Sequence, residues 1–218
     1  MENKIEVYEK KLENIFKNLE DVSLFNQAKV LRAFQENRIS ATDFYGTTGY
    51  GYDDKGREKL GKVFANVFGA ENAIVSPQIT CGSHALTIAL FGILRPGDVM
   101  LSVTGKPYDT LDDTIFGAEG KDNGSLKDFG VKFKQVDFKN DKLDFEEIKK
   151  QISSLKPKMV YIQRSRGYAW RDALFISDIK KIVDLSKKLS PKSYVVVDNC
   201  YGEFIEKLEP TEVGADLI

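Results

Sequence analysis

Asp198 closes the apolar run Tyr194-Val195-Val196-Val197. A carboxylate at the end of a strand-like stretch is poorly solvated and must find a cation or hydrogen-bond donors. One solution is an arginine from the segment QRSRGYAWR at residues 163–171. That segment carries Arg164, Arg166 and Arg171 with two aromatics, a composition that holds an anion, against the plainer reading of a solvated basic loop. Cys81-Gly82-Ser83-His84 leads directly into a helical pattern. A Gly-Ser turn opening a helix offers free N–H groups and a positive dipole end to a phosphate, although an ordinary glycine start with a Ser cap has the same letters. His84 is a candidate base there, or a packed or capping imidazole. Tyr108, in TGKPYDT, either stacks on a planar ligand or covers its own loop. Neither GxGxxG nor GxxxxGK(S/T) occurs, so a dinucleotide or P-loop site has no support.

These residues need elements to position them. Tyr8, Leu12, Ile15 and Leu19 form one helical stripe, and a second helical pattern covers residues 23–38. Residues 42–56 are rich in Gly, Thr and Asp and carry Tyr45, Tyr50 and Tyr52, a loop with more aromatic content than a linker needs. Helical spacing resumes over 57–68. Strands are predicted at 73–75, 99–103, 131–136, 159–162 and 194–197, with helices at 84–94, from the cap Asp144, and from the cap Ser177 to Leu189. Residues 214–218 read as the opening of another strand. Strands alternating with helices specify an α/β layer fold with a mostly parallel sheet, because parallel neighbours require a crossover. The candidate residues then fall just after strands, where ligands of open α/β sheets bind.

Composition narrows the function. The 218 residues hold 32 Lys+Arg against 33 Asp+Glu, a formal charge of -1, so there is no basic surplus for nucleic acid or an anionic membrane. Cys81 and Cys200 lie far apart without CxxC spacing, and a single His makes a transition-metal site hard to assemble. The charged, helical start is not a secretory signal, which makes the cytoplasm the expected compartment. The apolar run 85–94 is about half of the ~20 residues a membrane span needs.

Taken in order, FYGTTGYGYDDKGR, ITCGSHAL, QRSRGYAWR and VVVDNCYGEF resemble the fold-type I pyridoxal-phosphate enzymes. The resemblance is specifically to the methionine gamma-lyase-like family, also known as aluminium-resistance proteins, and runs along nearly the whole chain. It implies a three-layer α/β/α large domain at 42–218, incomplete at its C-terminal end and lacking the small domain, preceded by a helical arm at 1–41. It implies that Cys81, Gly82, Ser83 and His84 hold the phosphate of pyridoxal 5'-phosphate, that Tyr108 stacks on the pyridine ring, and that Asp198 pairs with the ring nitrogen. A carboxylate beside that nitrogen keeps it protonated, so the ring can draw electrons from the substrate Cα. Arg164 and Ser165 match the region facing the ring hydroxyl or substrate. The loop with Tyr50 and Tyr52 matches one that reaches into a neighbouring subunit's site, implying a homodimer or homotetramer with shared active sites. The Schiff-base lysine is expected just past Ile218; Lys207 precedes the last strand and is not assigned.

The implied activity is carbon-sulfur lysis of a small sulfur-containing amino acid, of methionine gamma-lyase or cystathionine beta-lyase type, with Asp198 and Tyr108 as catalytic residues. The products would be a thiol, a 2-oxo acid and ammonia. An aminotransferase uses the same cofactor and aspartate. A non-catalytic domain holding a phosphorylated ligand at Gly82 and Ser83 is the reading of another class, and a nicotinamide-dependent dehydrogenase lacks the glycine fingerprint.

Overall fold

Three strands of the central sheet, β1 (Val99–Ser102), β3 (Met159–Gln163) and β4 (Tyr194–Asp198), are continuous apolar runs, as strands covered on both faces must be. The computed structural model describes residues 4–50, 52, 54–117 and 124–218. A fourth strand, β2 (Lys132–Gln135), reads Lys-Phe-Lys-Gln, and its lysines suit an exposed edge. All neighbours are parallel, in the order β2-β1-β3-β4, and Leu217 adds an isolated parallel bridge to Val196.

Helices cover both faces. On one side α5 (Phe145–Leu155) and α6 (Ile176–Leu189) bury Ile148, Ile152, Ile179 and Ile182 against Val160, Ile162, Val195 and Val197. On the other, α3 (Gly82–Ile93) and the short α4 (Asp112–Ile115) bury Leu90 and Ile115 with Met100, Met159, Tyr161 and Val196. The α/β/α layering is therefore as expected. Asp144 caps α5 by accepting from the Glu147 N–H at 3.0 Å, also as expected.

The chain divides into two compact units, one of residues 1–75 with 204–207, the other of 76–203 with 208–218. In the first, α1 (Lys4–Glu36) and α2 (Lys55–Phe68) pack around Ala33, Val63 and Val67. Asn26 gives its amide hydrogens to the carbonyls of Phe204 and Glu206, both at 3.0 Å. Among the described residues no helix is long and apolar enough to cross a membrane.

Three sequence expectations need correction. The two N-terminal helical patterns form one continuous helix of 33 residues, because nothing between Leu19 and Ser23 breaks the backbone ladder. Residues 73–75 are not a strand: Ile74 is 85% exposed, and the sheet contains no neighbour for them. Ser177 lies inside α6, which is preceded by the extended residue Phe175.

Candidate active site

The strand order places a topological switch between β1 and β3, since the chain leaves β1 for one side of the sheet and enters β3 on the other. Ligands of open parallel sheets bind beyond the carboxyl ends at such a point. The loops there are tied together: Thr104 Oγ1 accepts from the Gln163 N–H at 2.9 Å, and Ser102 Oγ donates to the Gly105 carbonyl at 2.5 Å. A cavity of about 240 Å³ opens beside them, lined by Thr104, Lys106, Asp137, Gln163, Arg166 and Arg171 among others.

Tyr108 follows β1 and is half-buried. Its ring lies against Gly167, where a Cβ would stand 3.3 Å from Tyr108 Cδ2 and 3.2 Å from Gln163 Nε2; with φ at +57°, that position favours glycine. The Tyr168 ring packs on Tyr108 with centroids 5.4 Å apart and planes 31° apart. The hydrogen bond with Tyr168, partial burial and the nearby Asp109 and Tyr201 push the Tyr108 phenol up to about 12, so it stays neutral at ordinary pH. Two strand-end loops, those after β1 and β3, thus meet at one aromatic wall.

Cys81, extended at φ -162°, precedes α3, and no side chain caps the helix. The Ser83 hydroxyl lies within the helix and donates to Thr110 Oγ1 at 2.8 Å, linking this end to the loop after Tyr108, so it is not the cap that the plainer reading assigned. A Cβ on Gly82 would meet nothing within 4 Å, so there is open space beside the helix start. His84 accepts the Thr80 N–H on Nδ1 at 3.3 Å, a tie across the turn rather than the geometry of a free base.

Asp198 ends β4 with 9% of its surface exposed. Its Oδ1 accepts the Cys200 N–H at 3.1 Å, and its Oδ2 faces the Tyr161 hydroxyl at 3.4 Å. Burial raises its pKa, partly offset by these two donors, and no cation is among the influences on it. The alternative of a carboxylate paired to an arginine of the 163–171 loop is therefore not what forms. Arg164 meets Asp198 only through the backbone, its N–H donating to the Asp198 carbonyl at 2.9 Å.

The Arg164 side chain has its partners within the fold. At 3% exposure it turns into the fold and donates to Leu174 O at 3.1 Å, Asn199 Oδ1 at 2.8 Å and Gly202 O at 2.7 Å, with Glu209 Oε2 at 3.9 Å. Asn199 Nδ2 completes the circuit to Glu209 at 3.1 Å. A guanidinium held this way clamps the loop after β4. Ser165 is half-buried, and its carbonyl accepts from Arg171 Nη2 at 2.5 Å. Arg166 lies over the Trp170 ring at 5.5 Å. Tyr50 and Tyr52 belong to the other unit and are 84% and 82% exposed; Gly51 and Asp53 beside them lie outside the described residues.

Tyr161 and Glu209, which bond to Asp198 and Asn199, are not among the expected site residues. Tyr161 left a signal: it shares its strand's period-2 face with Gln163, and Asp198 stands opposite Gln163 in the parallel register.

Comparison with known proteins agrees with this architecture. The model of the family described as methionine gamma-lyase matches residues 1–218. The uncharacterized protein YnbB of Bacillus subtilis is 47% identical over 205 residues, 94% of this chain and 48% of YnbB. A crystal structure of a carbon-sulfur lyase involved in aluminum resistance from Clostridium novyi NT superposes with a TM-score of 0.91 at 51% identity, covering 97% of this chain and 51% of that one. The pyridoxal-5'-phosphate dependent protein YhfS of Escherichia coli shares the fold alone, with a TM-score of 0.62 at 18% identity over 90% of this chain and 48% of YhfS. This chain thus spans about half the length of the relatives it matches. Matched along its whole length, the chain belongs to the methionine gamma-lyase family.

Proposed function

We propose that this chain is the cofactor-binding part of a pyridoxal-phosphate-dependent carbon-sulfur lyase acting on a small sulfur-containing amino acid. The observation that carries the reading is Asp198, a carboxylate at a strand's carboxyl end that is buried without a cation. Such a group gains most from a positively charged partner delivered by a ligand. The other groups fit the same cofactor: the uncapped start of α3 at Gly82 and Ser83 suits a phosphate, and Tyr108 offers a flat wall. Pyridoxal phosphate, when bound, supplies an electron sink for the bonds around the substrate Cα.

The chain's own part in that chemistry is electrostatic and steric. Asp198 would hold a proton on the ring nitrogen of the bound cofactor. The α3 amides, with the Ser83–Thr110 link beside them, would hold the phosphate, and Tyr108 would offer its ring to the pyridine. The neutral Tyr108 phenol adds no charge beside the reacting carbon. Elimination at the β or γ carbon, of cystathionine beta-lyase or methionine gamma-lyase type, releases a thiol, a 2-oxo acid and ammonia. A homodimer or homotetramer in which the Tyr50–Tyr52 loop enters a neighbouring site belongs to the same proposal.

The test uses the complete polypeptide, incubated with pyridoxal phosphate and then with cystathionine or methionine in the absence of any amino acceptor. Release of 2-oxo acid with equal ammonia is expected. Product that forms only when an acceptor is added would replace the lyase reading with aminotransfer.

A further inference from the structure

β3 begins Met-Val-Tyr-Ile, and all four side chains are fully buried. A phenol is an expensive choice there, since its hydroxyl must be satisfied inside an apolar layer. In the parallel register Tyr161 stands opposite Val196 and Gln163 opposite Asp198, so Tyr161 and Asp198 project on the same face of the sheet, two residues apart along the strands. Leu90, Met100, Met159 and Val196 belong to the same buried cluster, and their side chains offer nothing better than the weak acceptor of a thioether. The hydroxyl points at Asp198 Oδ2, at 3.4 Å, long for an O–H···O bond. The second carboxylate oxygen takes the Cys200 N–H at 3.1 Å. One donor on each oxygen, from two different elements, fixes the plane of the carboxylate.

We propose that Tyr161 is a positioning residue for Asp198: its buried hydroxyl orients the carboxylate toward the cofactor's ring nitrogen. The inference rests on the pyridoxal-phosphate reading above and deepens it. A hydrogen bond donated to the carboxylate also favours its ionised form, the form able to hold a protonated ring nitrogen. Burial works in the other direction, so the phenol and the Cys200 amide are the two groups that keep the anion available. Phenylalanine would fill the same space and remove one atom.

The experiment is a double-mutant cycle on pyridoxal phosphate affinity, measured by fluorescence titration of the complete polypeptide with the free cofactor. Wild type, Tyr161→Phe, Asp198→Asn and the double variant are compared, with urea unfolding of each as the control on folding. Tyr161→Phe is expected to weaken binding by about 5- to 10-fold, the effect of losing one hydrogen bond of ordinary strength, as the 3.4 Å separation suits. In the Asp198→Asn background the same change should alter affinity by less than about 2-fold. Affinity in Tyr161→Phe equal to wild type, or an equal loss in both backgrounds, overturns the inference and leaves the cofactor reading standing. A wild-type polypeptide that takes up no pyridoxal phosphate overturns both. Should Tyr161→Phe fail to fold, 3-fluorotyrosine at position 161 alone supplies a stronger donor; tighter cofactor binding is expected, and unchanged or weaker binding refutes the role.

Discussion

At the scale of the residue, Asp198 is held in a state that works against the cofactor-free fold. Burial raises its pKa, so the folded chain binds that proton more tightly than the unfolded chain does. The sign follows from linkage. The group's contribution to stability is fully present below the unfolded pKa and is lost as pH rises through the raised folded value. The cofactor-free polypeptide should therefore lose thermal stability across that window, and Asp198→Asn should flatten the slope, as differential scanning calorimetry at a series of pH values would record. The same residue should show the opposite sign in function. Asp198→Ala is expected to lower turnover by about 10²- to 10³-fold, the typical loss when a preorganised group facing developing charge is removed. An Asp198→Ala enzyme with undiminished 2-oxo acid release would remove the basis of the assignment.

At the scale of the element, two glycines separate propensity from packing. Gly61 lies inside α2, where alanine is normally better by about 1 kcal/mol. Here a Cβ would stand 2.7 Å from the Ala73 carbonyl oxygen, a backbone atom that cannot step aside cheaply. Gly61→Ala should therefore destabilise in urea unfolding despite its helix propensity. Gly202 is packed against the Arg164 side chain, with a Cβ only 2.4 Å from its Cδ and 2.7 Å from Asn199 Oδ1. Because that guanidinium is pinned by three acceptors, Gly202→Ala should cost about 1–3 kcal/mol, the range for overpacking. This contrast shows what the letters could carry. Strands β1, β3 and β4 were legible because doubly covered parallel strands are unbroken apolar runs. The Asp144 cap was legible because its chemistry is local. The destination of Arg164 was not, since its partners Asn199 and Glu209 lie 35 and more residues away and nothing in a basic segment tells a clamp from a ligand contact. Residues 73–75 misled for a related reason: short apolar runs become strands only where a neighbour exists to share the ladder.

At the scale of the whole molecule, a formal charge of -1 leaves little electrostatic repulsion between copies. The long first helix meanwhile exposes Tyr8 at 63%, Ile15 at 55% and Leu19 at 61% along one stripe. A polypeptide of these 218 residues should bind a hydrophobic dye and grow in apparent size with concentration, and Ile15→Lys with Leu19→Lys should reduce both. Dye fluorescence and size-exclusion elution unchanged by those substitutions would show that the stripe is not adhesive. The Arg164 clamp carries a consequence for the molecule's internal clock. Amide protons of Arg164, Leu174 and Gly202 are enclosed by the buried circuit, bonded to the carbonyls of Asp198, Arg164 and Asn199. The neighbouring aromatic rim of Tyr168, Trp170 and Tyr201 is more than four-fifths exposed. Deuterium should enter the rim early and the clamped amides only with unfolding of the sheet itself, so the rim can turn over many times on a frame that has not yet opened once.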